Sequence, residues 1–254
     1  MTISFSELYI YILVFARMAG LILFNPLLSR KNVPTQVRAG LVLMLTLLVS
    51  PAVDSSHIDP ASFDMLLGIF KELFMGFVCG FVYQIFYFLL LFVGDCMDTE
   101  FGMAMAKVFD PATNIQVSVS GSLITVLFML YILITDSHLV MIQMYALSFK
   151  LVPIGTITLS TNAYQLMLTL FVEVFSLALR LLLPFMVVEF ILQITMGIMM
   201  KLVPQIHVFV INFQMKQGLG LVMLFSMSPV IAAFLDNYII IMLENMQRAM
   251  MILA

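Results

Sequence analysis

Tryptophan is absent from this chain of 254 residues, and cysteine, histidine and charge are scarce: two cysteines, three histidines and 10% charged residues. Each shortage excludes something. Cys79 and Cys96, if joined by one helix, stand about 25 Å apart at 1.5 Å per residue, which argues against an internal disulfide and fixes no redox compartment. His57, His138 and His207 are far apart in sequence, and no Cys/His cluster has metal-ligand spacing, so no metal site is expected. There is no P-loop and no HExxH, hence no expected catalytic residue and no expected cofactor. The net charge of −3 is small and spread out, which points away from nucleic acid as a partner.

What remains is oil. The chain is 63% hydrophobic, with a mean hydropathy of +1.14, whereas soluble domains are about half apolar and about a quarter charged. Most of it cannot face water, and the expected fold class is an all-α membrane protein, because unpaired backbone is not tolerated in lipid. A span needs roughly 20 apolar residues. Candidate segments are 7–25, 36–53, 65–93, 118–135, 164–200 and 217–235, followed by an apolar tail to Ala254. The first has no basic leader and carries Arg17, so it reads as a retained helix rather than a signal peptide. As straight helices, 65–93 and 164–200 would reach about 43 Å and about 55 Å, beyond a bilayer core. Pro184 is expected to kink or split the longer one. Without a tandem repeat or linker, residues 1–254 read as a single domain. Arg30, Lys31 and Arg38 in the first loop, with Lys201 and Lys216 after the fifth segment, place those loops in the cytoplasm and the N-terminus outside.

Five ionisable residues interrupt the apolar segments: Arg17, Glu72, Glu173, Arg180 and Glu189. Each would cost roughly 2.5–3.5 kcal/mol at a bilayer centre, so each needs a partner or a polar cavity. Pairing across subunits to fix assembly is the favoured reading, and a lining for an ion or a polypeptide is the alternative. Glu72, Gly76 and Gly80 share one helix face, and Gly76-Phe-Val-Cys-Gly80 is a GxxxG, so Gly76 and Gly80 are expected to form a close helix-packing seam. Residues 101–114, FGMAMAKVFDPATN, are too greasy for an ordinary loop and too charged for a span. Met103, Met105, Val108 and Phe109 make a flexible apolar element suited to closing around a passing chain, with methionine the most adaptable of them.

Gly94-Asp95 resembles the Gly-Asp of intramembrane aspartyl proteases, but no second aspartate stands in an apolar helix to complete that chemistry. A small-solute secondary transporter would use broken helices and internal repeats, and no repeat is visible.

A more extensive likeness runs along most of the chain. Arg17-Met-Ala-Gly20, Pro26, Val33-Pro34, Arg38-Ala-Gly-Leu41, Glu72 with Gly76 and Gly80, Gly102 through Asp110-Pro111, Ser137-His138-Leu139, Val152-Pro153-Ile154-Gly155 and Gly197 to Lys216 keep the order and spacing of the FliR family. The chain thus resembles the FliR subunit family of flagellar type III export gates. That resemblance implies long helices and helical hairpins that assemble with homologous FliP-like and FliQ-like subunits into a helical pore of the bacterial inner membrane, in the flagellar basal body. FlhB-like and FlhA-like export components would be further partners, and unfolded export substrates would be the cargo. It also implies that the loop ending in Asp110-Pro111 plugs the closed pore, with Met105 and Val108 foremost and Met103 and Phe109 beside them. Phe is frequent in the family where Met105 and Val108 stand here, so apolar character matters more than an aromatic ring. Lys201 stands where arginine is usual, and Asn212 and Gln214 replace the expected Gly and Pro. The equivalent subunit of a virulence injectisome shares the same pattern and is the alternative reading.

Overall fold

A computed structural model describes residues 5–26, 33–53, 65–104, 118–157, 162–203 and 208–253, and all regular structure among them is helical. In chain order these are α1 (Phe5–Leu23), α2 (Thr35–Val49) with a 3-10 turn at Ser50–Ala52, α3 (Met65–Glu100) and α4 (Val119–Ile134). They are followed by α5 (Ser137–Leu151), α6 (Asn162–Leu202), α7 (Val208–Ser226) and α8 (Ser228–Leu253). Three of them, within Met65–Glu100, Tyr164–Leu202 and Ser228–Ile252, are long and apolar enough to cross a membrane, and α4 with α5 makes a fourth if the pair counts as one broken span.

The structure revises four points of the hydropathy reading. Helix α5 was not anticipated: its Ser, His, Gln and Lys residues dilute the apolar signal, and at 15 residues it is short of a span. It is separated from α4 by a sharp break at Asp136, whose φ of 56° is left-handed. The segment 217–235 and the tail are instead α7 and α8, divided at Met227. Helix α3 continues to Glu100, 36 residues and about 54 Å long. Helix α6 runs 41 residues, about 60 Å along its axis, and continues through Pro184 without splitting. The proline removes only the bond to the Arg180 carbonyl, and the flanking turns retain theirs.

The chain divides into two compact units, the first made of Met1–Phe86, Ile132–Phe171 and Ile240–Ala254, the second of Tyr87–Tyr131 and Val172–Ile239. The core of the first includes Leu13, Val14, Met75, Val82, Tyr83 and Tyr145; that of the second includes Val93, Phe101, Phe128, Phe185, Leu235 and Tyr238. Much apolar surface stays uncovered, for example Leu43, Met44, Leu47 and Leu48 on α2 and Phe190, Ile191, Ile194 and Ile198 on α6. Surface of that kind needs lipid or another protein against it.

Candidate functional site

Of the expected plug residues, Met103 is half-buried, while Met105, Val108, Phe109, Asp110 and Pro111 lie outside the described residues. The structure does show what holds both stems of that segment, all within the second unit. On the incoming side, α3 ends with Gly102 at φ +73°, the left-handed conformation that glycine adopts most readily after a helix. Phe101 is fully buried, its ring seated where a side chain on Gly220 of α7 would have to be, and edge-on to Phe185 at 6.1 Å. On the outgoing side, α4 starts after Ser118, and its first free N–H groups find an acceptor on α3. Asp98 Oδ2 accepts from Ser118 Oγ at 2.7 Å and from Val119 N at 2.6 Å, and Oδ1 accepts from Ser120 N at 3.0 Å.

One carboxylate therefore caps α4 from another helix and ties the two stems together. The helix N-terminus carries partial positive charge, which suits a buried anion there. Ser118 Oγ completes the cap by accepting from Gly121 N at 2.9 Å. One turn before Asp98, Gly94 lies so close to the Gly121 backbone that an added Cβ would overlap it. Asp98 was not singled out from sequence, where it was one of several acids near the loop. The available signal was Ser118-Val-Ser directly before an apolar run, a helix start in need of an acceptor.

The first unit holds a different centre. Arg17 Nε donates to Glu72 Oε2 at 2.5 Å, with both side chains fully buried. Arg17 Nη1 donates to the carbonyls of Ser148 at 3.0 Å and Val152 at 2.9 Å, the C-terminal acceptors of α5. The guanidinium also lies 4.3 Å from the Phe149 ring centre. Glu72 Oε1 accepts from Gly155 N at 3.1 Å, where φ of +83° favours glycine. Arg17 and Glu72 thus pair within the chain and together hold the Val152–Gly155 turn, while Arg17 Nη2 has no hydrogen-bond partner among the described residues.

That ion pair sits on a close seam between α1 and α3. A Cβ on Gly76 would meet Leu21 N at 2.8 Å and Gly20 Cα at 2.9 Å, and one on Gly80 would meet Phe24 Cβ at 2.7 Å. The contacts Arg17 to Glu72, Gly20 to Gly76 and Phe24 to Gly80 advance together, so α1 and α3 run parallel. Gly20 supplies the half of the seam that the sequence reading left unnamed.

The remaining charges are scattered. Glu173 is half-buried and Arg180 exposed on α6. Glu189, also on α6, is fully buried, and neither carboxylate oxygen has a hydrogen-bond partner among the described residues. One turn further on, Gln193 Oε1 accepts from Lys216 Nζ of α7 at 3.4 Å. No group of three His, Cys, Asp or Glu residues able to hold a metal occurs among the described residues.

The pattern of a known family, described as "Bacterial export proteins, family 1", matches residues 8–241. Among similar proteins, a flagellar biosynthetic protein FliR of Escherichia coli (strain K12) is 27% identical over 235 residues, covering 92% of this chain and 89% of its own. The protein of that name in Bacillus subtilis (strain 168) is 24% identical over 242 residues, covering 94% and 93%. The one in Aquifex aeolicus (strain VF5) is 22% identical over 228 residues, covering 89% and 88%. All three likenesses run through both units.

Proposed function

We propose a function from one premise: the chain belongs to the bacterial export proteins, family 1, whose matched region takes in nearly all of it. It is a membrane component of the flagellar protein export apparatus, a structural part of that machinery. The finer reading is a pore subunit of the export gate, which works without covalent chemistry. FliP-like and FliQ-like subunits would complete the pore in the inner membrane at the flagellar basal body. FlhB-like and FlhA-like components would act beside it, and unfolded flagellar proteins would pass through it. Residues 1–254 would function as one export-gate domain, since α3, α4, α6 and α8 each contribute to both compact units. The flagellar names of the similar proteins favour this reading over the injectisome subunit.

The observation that carries the plug role is the Asp98 tie. A segment holding Met105, Val108 and Phe109 leaves one helix and returns to another at stems joined by three hydrogen bonds to one carboxylate. An apolar segment anchored in that way can be displaced by a passing chain and return to the same place. Glu173, Arg180 and Glu189 are assigned to contacts with neighbouring subunits, and the uncovered apolar faces to the same interfaces and to lipid.

Native mass spectrometry tests the assembly, using this protein co-expressed with FliP-like and FliQ-like partners from one genome. The expected particle is a hetero-oligomer containing this chain. A stable particle of this chain alone would overturn the gate assignment. In the assembled gate, glycine at Met103, Met105, Val108 and Phe109 together is expected to let ions or small molecules leak. A tight membrane with an intact particle would sink the plug role alone.

A further inference from the structure

A trough of about 490 Å³ opens on the first unit, along the first turns of α3, lined by Phe24, Leu67, Phe70, Lys71, Phe74 and Phe77, with Leu73 in its wall. Its aromatic floor is fixed: Phe24 stands edge-on to Phe77 at 4.6 Å, and Phe77 stacks on Phe81 at 5.6 Å. Leu67 and Phe70 remain largely exposed at its mouth. Leu67, Phe70, Lys71 and Phe74 follow the i, i+3, i+4, i+7 spacing of a single helix stripe. All the lining is apolar except for one cation.

Among the described residues no acid pairs with that cation. The neighbouring acid, Glu72, points to the opposite side and is paired with Arg17, so among the described residues the charge facing the trough is the Lys71 ammonium. Helical side chains lean towards the N-terminus, and lysine carries its charge outwards along an apolar stem, so Lys71 places its ammonium near the Leu67 end. From Leu67 to Phe77 the helix rises about 15 Å, half of a hydrocarbon core of about 30 Å. A positive group at one end of an apolar trough one leaflet deep is the shape of an anionic phospholipid.

We propose that this trough binds an anionic phospholipid, with an acyl chain along Phe70, Phe74 and Phe77 and the phosphate on Lys71. The site depends only on the chain being in a membrane, so it stands apart from the pore reading. An acidic side chain of a partner subunit would satisfy the same lysine. The trough's continuous apolar floor and leaflet-scale depth favour the lipid.

The test is competition between phosphatidylglycerol and phosphatidylcholine for the full-length protein, delipidated in mild detergent and followed by native mass spectrometry. Phosphatidylglycerol is expected to be retained preferentially. Lys71→Gln should lower that preference about fivefold, the worth of one lysine at an anionic surface. Lys150→Gln, at the exposed end of α5, should leave it unchanged. An equal drop in both variants, or no preference in the wild type, overturns the proposal. A photoreactive phenylalanine analogue at Phe74, in the assembled complex, should label lipid. Labelling of another polypeptide would overturn the lipid assignment and identify a subunit contact instead.

Discussion

In the first unit the buried carboxylate of Glu72 meets a guanidinium and a turn N–H, whereas in the second the buried carboxylate of Asp98 meets, among the described residues, a serine hydroxyl and two helix N–H groups. The two arrangements lock different things. The Arg17–Glu72 pair joins α1, α3, the end of α5 and the turn after it, segments up to 135 residues apart in sequence. The Asp98 cap joins positions 20 to 22 residues apart, the two stems of one segment. A charge pair used as a long-range tie is costly to break, because the surviving partner stays buried and uncompensated. A cap made of dipoles is cheaper to lose and local in its consequences. The first unit is therefore built to hold a fold, and the second to hold a loop.

The largest expected effect follows from that contrast. Arg17→Met leaves Glu72 buried without its cation and should destabilise the protein by about 3–5 kcal/mol. The thermal midpoint of the full-length protein in detergent reads this directly. Combining it with Glu72→Leu should recover most of the loss. A double variant as unstable as Arg17→Met alone would mean that the α5 carbonyls, rather than the ion pair, make Arg17 necessary.

Both units share backbone-close helix crossings, and these come next in magnitude. Gly76→Ala in the first and Gly94→Ala in the second each drive a methyl into a neighbouring backbone. Each should cost about 1–3 kcal/mol. Gly197→Ala makes the control, since nothing lies within 4 Å of the added carbon. It should stabilise helix α6 by up to about 1 kcal/mol. Equal effects at all three positions would show that helix propensity, not close approach, governs these glycines.

Asp98→Ala should cost about 1 kcal/mol, as loss of a cap does, and mostly at the start of α4. Hydrogen exchange at the Val119 and Ser120 amides is the sensitive measure, with faster exchange expected there and little change near Arg17. Asp98→Asn keeps an acceptor and should fall between. Exchange that rises throughout the protein would place Asp98 with Arg17 as a tie of the whole fold.

The parts of this molecule that sequence reveals are those with a local signature. Length and hydropathy expose α3 and α6, and the i, i+4, i+8 spacing of Glu72, Gly76 and Gly80 marks a face. What each face meets is long-range information. Nothing local tells Arg17 that its partner is 55 positions away, or Asp98 that α4 begins 21 residues on. Helix α5 escapes hydropathy because it is short and mixed, although its end supplies the acceptors that Arg17 needs. From the residues, segment 101–114 reads as a flexible apolar element suited to closing around a passing chain; its assignment as the plug of a pore rests on family likeness and is a proposal.

Glu189 gives the smallest expected effect and the sharpest distinction between the units. It is as buried as Glu72, yet among the described residues both its oxygens lack a donor, while Lys216 reaches Gln193 one helical turn away. Removing a buried polar group that has no partner sacrifices no hydrogen bond and relieves a desolvation cost. Glu189→Met in the isolated subunit should therefore be neutral or stabilising by about 1 kcal/mol, the opposite sign to any change at Glu72. In the proposed gate the same variant should weaken binding of the neighbouring subunits, if a donor from one of them completes the carboxylate. A loss of stability in the isolated chain would show that Lys216 spends part of its time on Glu189. The second unit would then contain its own ion pair, and the contrast with Arg17–Glu72 would become one of strength rather than of kind.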